Sequence, residues 1–378
     1  MLSRRALFKG VGSGLLLALM PTELWARNAN LLLAPRGGKV PTRLHYNENA
    51  AGCSPKALEA VSKVLEGQSN HYPDELLGDY INALSNFHGV GDNNIILGNG
   101  STEILTMSLM HAYKPGLKVF APSMSFEVIA DLCGTYGIEY IGLPMKDDHR
   151  VDLAGLKMAA ESEDGPAMVY LTSPNNPTGD LIHSKDFHDW VRAAPNNIFF
   201  LVDEAYIEFV KDTSHKSALD LVKEGQSNLV VTRTFSKVYG MAGLRAGYGA
   251  ATPEVASAIN KRSGGTNMNL VALTAGIAGL KDRDFYNESL KSNITSRRIV
   301  TDVLDELGLS YIEGDTNFIF HEIGADHKDY QPTMLEHGFK VGRLMGGLER
   351  RNRLSLGLPH EMERFAETLK LFRKNGWV

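Results

Sequence analysis

The chain has 378 residues, 43% hydrophobic and 22% charged, with a formal net charge of -5 at pH 7. That length and apolar content can bury a substantial core, in one large domain or two intertwined ones. No lysine or arginine block follows the N-terminus, so there is no basic footprint for nucleic acid, and none is expected as a partner.

In chain order the first element is a leader. Residues 1–26 hold paired Arg4 and Arg5 after Ser3, an apolar run from Val11 to Met20, and Ala26 as a small residue at which a peptidase could cut. This resembles a twin-arginine export signal, with Leu7 and Phe8 in swapped order. The glycine-broken run falls short of the about 20 residues that span a bilayer. The expectation is a periplasmic mature chain, with residues 27–57 joining a small domain, 58–284 forming a large domain and 285–378 a small C-terminal one. Two cysteines, Cys53 and Cys133, are read as buried free thiols, since a chain this large needs no covalent staple. No His, Cys, Asp and Glu cluster has metal-ligand spacing, so no metal is expected.

From about residue 95 to 250 short apolar runs alternate with helical patterns. "NNIILG", "LKVFAP", "EYIGLP", "AMVYLTSP", "NIFFLVDEAY" and "NLVVTRTFS" are strand-like, being rich in Val, Ile, Leu, Phe and Tyr and bounded by Gly, Pro or Asn. Helical spacing lies between them, as over Thr102–Ala112 and Ser184–Arg192. The alternation predicts an α/β domain whose mainly parallel sheet is covered by helices on both faces. A long polar helix follows over Phe285–Leu307, then strand-like "SYIEGDTNFIFHEI", "FKVGRL" and "RLSLGL", then a helix over Glu361–Lys374. These form the smaller α+β domain.

Polar residues collect at strand ends, where ligands of such sheets sit. "GNGSTEIL" sets Gly98, Gly100, Ser101 and Thr102 between a strand and a helix, a place for an anion; helix capping by Ser101 or Thr102 explains the same residues equally well. "TSPNNPTG" presents Asn176 in turn chemistry. Asp203 and Glu204 end a run of apolar residues, where a buried carboxylate needs a cationic partner. "TRTFSKVYGMAGLRAGY" then places Lys237 among Thr234, Ser236 and Arg245. An amine, a carboxylate, hydrogen-bond donors and a phosphate cup together suit pyridoxal phosphate.

The ordered set "NENAAG", "HYPD", "GNGSTE", "PNNPTG", "DEAY", "TFSK" with Arg245, and "NRLSLG" resembles the fold-type I pyridoxal-phosphate aminotransferases of the histidinol-phosphate aminotransferase-like branch, from about residue 41 to the C-terminus. The resemblance implies an aspartate aminotransferase-like fold and these roles. Lys237 is the Schiff-base lysine and proton shuttle. Asp203 pairs with the pyridine nitrogen, and Tyr206 and Asn176 hydrogen-bond the ring oxygen. Ser101, Thr102, Thr234, Ser236 and Arg245 hold the phosphate with the backbone of Gly100. Tyr72 reaches the neighbouring site of a homodimer, and Arg353 clamps the substrate carboxylate.

Three departures bear on substrate. "PSMSFE" has Met124 where the family usually stacks an aromatic on the cofactor, and Phe126 is taken instead. "NENAAG" has Ala51 where a substrate-contacting tyrosine is usual. "GFKVGRL" has Gly342 where phosphate-specific relatives carry arginine, with Arg343 one residue late and, on a strand, expected to face away. These and the export signal disfavour histidinol phosphate. The leading expectation is an exported aminotransferase acting on an amino acid and a 2-oxo acid. The alternative on the same scaffold is a dioxygen-using, arginine-type oxidase or deaminase, in which Glu48 would meet a cationic side chain; a solvated loop carboxylate is the other, and favoured, reading of Glu48. A catalytically silent binding protein is disfavoured, because the cofactor-contacting positions are intact.

Overall fold

The computed structural model describes residues 40–265 and 267–377; the leader expected over 1–26, and residues 27–39 of the segment expected after it, lie outside the described residues. The strands in chain order are β1 (Thr42–Leu44), β2 (Ile95–Asn99), β3 (Lys118–Pro122), β4 (Glu139–Leu143), β5 (Ala167–Thr172), β6 (Ile198–Asp203), β7 (Leu229–Thr234), β8 (Ala246–Ala250), β9 (Tyr311–Ile312), β10 (Phe318–Glu322), β11 (Phe339–Val341) and β12 (Arg351–Ser355). Thr42–Val378 form one compact unit.

β2 to β8 make one sheet in the order β2-β8-β7-β6-β5-β3-β4. Pairing from β7 to β4 is parallel, and β8 runs antiparallel to both β7 and β2. The fold class is therefore the mainly parallel α/β architecture that alternating runs predict. Both faces are buried because successive strand residues point to opposite sides. Phe200 and Val202 pack with Phe187, Trp190 and Leu219 of one helical layer. Leu201 packs with Ile104, Leu109 and Ile129 of the other.

The register places Thr172 and Asp203, which end β5 and β6, side by side, with Thr232 next to Asp203 two residues before β7 ends. The loops that follow therefore leave one edge of the sheet together, and they carry Asn176, Tyr206 and Lys237.

Among the strands of the large sheet, β8 is the one that sequence patterning does not mark. Its stretch Ala246–Ala250 is AGYGA, and glycine inside a strand signals a close backbone approach. A Cβ on Gly247 would stand 2.5 Å from the carbonyl carbon of Gly100 and the nitrogen of Ser101. The weak strand signal is what lets the "GNGST" turn lie against the sheet.

A second layer is built from β9, β10 and β12, paired antiparallel, and from β1 paired in parallel with β11. The helices Arg283–Glu306 and Pro359–Lys374 cover it through Val300, Leu304, Phe365 and Leu369, which pack on Ile319 and Leu354. Leu354 faces that core, so the flanking Arg353 and Ser355 face the other way.

Candidate active site

One cavity of about 310 Å³ opens at the carboxyl edge of the large sheet, a volume in the range of small-molecule sites. Its wall includes Ser101, Thr102, Phe126, Asn176, Asp203, Tyr206, Thr234, Ser236, Lys237, Arg245 and Arg353.

The hydroxyl side of the cavity is an anion cup. Gly100 has φ 77 and caps the N-terminus of the helix Ser101–Ala112, where unpaired N–H groups and the helix dipole favour negative charge. The Thr234 hydroxyl donates to Ser236 Oγ at 2.8 Å, and the Ser236 N–H donates to Thr234 Oγ1 at 3.1 Å. Arg245, itself at φ 59, donates to the Ala242 carbonyl at 3.1 Å. Its guanidinium occupies the space that a Cβ on Gly100 would fill, so the glycine is what allows the cation to lie against the turn.

Asp203 ends β6 and is 4% exposed. It accepts from the Ala205 N–H at 3.1 Å. Burial pushes its carboxyl up to about 6, with the Lys237 charge acting in the opposite direction. Lys237 Nζ lies 3.5 Å from the Tyr46 carbonyl and 5.3 Å over the Tyr206 ring. The Tyr206 hydroxyl accepts from Asn47 Nδ2 at 3.0 Å.

Arg353 closes the opposite wall at 5% exposure. It donates to Asn176 Oδ1 at 2.6 Å and to the His45 carbonyl at 2.8 Å, and its Nε has no partner. No carboxylate of the described residues pairs with it, and burial moves its pKa down. A desolvated cation facing a cavity without a counter-charge is a site for an anion. Because Arg353 takes Asn176 Oδ1, the asparagine has its amide N–H groups left for another acceptor.

Several sequence expectations need correction or completion. Glu48 is not in the cavity wall; it accepts from Arg43 at 2.7 and 3.0 Å and lines a separate small pocket with Ala51. Met124 packs with Ile312, Phe320 and Met345, whereas Phe126 lines the cavity. Arg343 does not face away: β11 ends at Val341, and Arg343 lines the cavity, where it pairs with Glu127. The strand alternation that turned it outward stops two residues too early. Gly342 has its own reason, since a Cβ there would stand 2.5 Å from the Arg353 carbonyl. Tyr72 is 78% exposed and is not part of this cavity. Cys53 and Cys133 are both free, but only Cys133 is buried, Cys53 being partly exposed.

Sequence reasoning missed Tyr46, Asn47, Thr172, Glu127 and Arg343 in the wall. The quoted motifs contain four of them, Asn47 in "NENAAG", Thr172 in "TSPNNPTG", Glu127 in "PSMSFE" and Arg343 in "GFKVGRL", but did not say that these positions face the site.

The residues fit pyridoxal phosphate in three independent places. The cup suits a phosphate, buried Asp203 lacks the cation that a protonated ring nitrogen would supply, and Lys237 offers the amine for an aldehyde.

Residues 40–369 match the family model described as aminotransferase class I and II. The histidinol-phosphate aminotransferase of Akkermansia muciniphila is 34% identical over 329 residues, covering 87% of this chain and 89% of that protein. Histidinol-phosphate aminotransferase 1 of Nitrosococcus oceani is 34% identical over 335 residues, covering 88% and 89%. The solved structure of histidinol-phosphate aminotransferase from Sinorhizobium meliloti, in complex with pyridoxal-5'-phosphate, superimposes with a TM-score of 0.81 at 28% identity, covering 91% of this chain and 97% of that one.

Proposed function

The chain belongs to the class I and II aminotransferases, and we propose that within that family it moves an α-amino group between an amino acid and a 2-oxo acid, with Arg353 holding the α-carboxylate of each. The observation that carries this reading is the buried Arg353 cation, unpaired with any carboxylate and facing the same cavity as Lys237.

The cofactor is pyridoxal 5'-phosphate, which supplies an electron sink and a carrier for the amino group when bound. Thr234, Ser236, Ser101, Thr102 and Arg245 would hold its phosphate, and Asp203 its ring nitrogen. Tyr206 and Asn176 would donate to its ring oxygen, and Phe126 lines the wall beside the ring site. Lys237 Nζ would take the proton from the substrate α-carbon and deliver it to the carbonyl carbon of the cofactor, as a base and acid in one position. Arg353 orients the substrate so that this carbon lies within reach of Nζ.

The relatives' names bring histidinol phosphate to this chain as a second reading, and Arg343 favours it by offering a cation to a phosphate in the same cavity. The export signal expected over residues 1–26 supports an α-amino acid instead, since Gly342 is set by its packing against the Arg353 carbonyl. The relatives named above are aminotransferases, and no observation at the site favours a dioxygen-using reaction. Screening amino acids and histidinol phosphate as donors, with 2-oxoglutarate and pyruvate as acceptors, tests the proposal. Turnover of α-amino acids above that of histidinol phosphate supports it; turnover of histidinol phosphate alone overturns it.

Two further parts of the proposal rest on sequence. Arg4, Arg5 and the Val11–Met20 run support export to the periplasm by the twin-arginine route; among the described residues no helix is long and apolar enough to cross a membrane. The exposed Tyr72 in "HYPD" supports a homodimer in which it completes the neighbouring site.

A further inference from the structure

Three consecutive residues each touch a different functional group. The His45 carbonyl accepts from Arg353 at 2.8 Å, the Tyr46 carbonyl lies 3.5 Å from Lys237 Nζ, and Asn47 Nδ2 donates to the Tyr206 hydroxyl at 3.0 Å. Of these, the Asn47 contact dictates a direction for a proton.

Asn47 is 1% exposed and has φ 54, a left-handed conformation that asparagine and aspartate tolerate better than most residues. Its N–H donates to Ser355 Oγ at 2.8 Å, and the Ser355 hydroxyl donates to Asn47 Oδ1 at 2.8 Å. The main-chain donor is fixed, so the serine proton goes to the side-chain oxygen of Asn47. That orients the amide and leaves its NH₂ against Tyr206. A phenol oxygen that accepts there sends its own proton elsewhere. The remaining direction is the cavity, whose wall Tyr206 shares with Lys237 and Asn176.

We propose that Asn47, oriented by Ser355, is a positioning residue that makes Tyr206 an obligatory hydrogen-bond donor into the cofactor cavity. The inference rests on the pyridoxal-phosphate reading of that cavity. Its consequence is electronic. A donor held on the cofactor ring oxygen stabilises negative charge there and lowers the pH at which the lysine–cofactor bond loses its proton. Ser355 lies two residues from Arg353 on the same face of β12, so the strand that holds the carboxylate clamp also orients the tyrosine.

The test uses the holoenzyme and its visible absorbance band, titrated with pH. Asn47→Asp is nearly isosteric and keeps the acceptor for Ser355, but presents a carboxylate oxygen to Tyr206. The phenol proton then turns away from the cavity, and a negative charge is added beside it. The midpoint of the band is expected to rise by about one unit or more, the size of one hydrogen bond to a charged group. Asn47→Ala removes the contact to Tyr206 and the acceptor for Ser355 without adding a charge, so its midpoint should rise less. kcat should fall in both, with KM for the amino donor nearly unchanged. A midpoint at or below the wild-type value in Asn47→Asp, or an equal rise in both variants, would overturn the inference. Loss of the band on making Asn47→Asp would also overturn it, because a positioning role predicts retained cofactor. Failure of the underlying reading looks different: the wild-type protein itself would then show no band that titrates.

Discussion

Arg353 and Asn176 share a hydrogen bond of 2.6 Å that joins the wall proposed for the substrate to the wall proposed for the cofactor. The arginine comes from β12 and the asparagine from the turn after β5, 177 positions apart in the chain. A substrate carboxylate that draws on Arg353 therefore acts on a residue that faces the cofactor.

Arg353→Ala should raise KM for the amino donor and lower kcat/KM by about thirtyfold or more, from roughly 2 to 5 kcal/mol for a lost charge-assisted contact. Arg351, on the same strand, donates to Ser310 at 3.1 Å and does not line the cavity. Arg351→Ala should change KM little, and steady-state kinetics on both variants check the contrast.

The burial of Asp203 makes a prediction about pH. Its carboxyl is pushed up to about 6, so between about pH 4 and 6 the folded cofactor-free protein holds a proton that the unfolded chain has released. Stability then falls as pH rises through that window, by about 3 kcal/mol. Unfolding of the cofactor-free protein and of Asp203→Asn, compared across pH 4 to 7, isolates the effect from Glu208, which burial pushes up to about 7. The wild type should lose stability relative to the variant as pH rises. Bound cofactor should remove the difference, because the ionised carboxylate then has a cationic partner. Turnover in Asp203→Ala should fall by several orders of magnitude, since carbanion stabilisation depends on the ring proton.

How far sequence reaches is clear from particular residues. β2 to β7 are visible as apolar runs, and the Lys237, Asp203 and Arg245 motifs follow from the chemistry of an amine, a carboxylate and an anion cup. β8 is hidden because Gly247 and Gly249 make room for neighbours rather than fill a strand pattern. Asn47 is hidden because its partner Ser355 lies 308 positions away. Arg343 was turned outward by extending strand alternation beyond Val341, where the strand has already stopped.

Gly247→Ala tests the close approach directly. The added Cβ would press on the Gly100 and Ser101 backbone at 2.5 Å, and overpacking of this kind costs about 1 to 3 kcal/mol. Thermal unfolding should show the loss, and cofactor titration should show weaker binding because the anion cup moves with that turn.

Arg343→Met separates the two substrate readings. Its pair with Glu127 is half-exposed, so its loss should cost little stability. Any turnover of histidinol phosphate, whose one anionic group is its phosphate, should lose kcat/KM while that of alanine does not. An equal loss for alanine would show that Arg343 acts on the site in general.

The most direct measurement of the central claim is a half-reaction. Holoenzyme is mixed without oxygen or oxo acid with the best amino donor, and the visible band and released oxo acid are followed together. The account predicts loss of the band with one oxo acid formed per site, full recovery on adding a 2-oxo acid, and at least a thirtyfold slower reaction in Arg353→Ala at low donor concentration. Turnover that continues without an oxo acid once air is admitted, or an Arg353→Ala protein as fast as wild type, would contradict it.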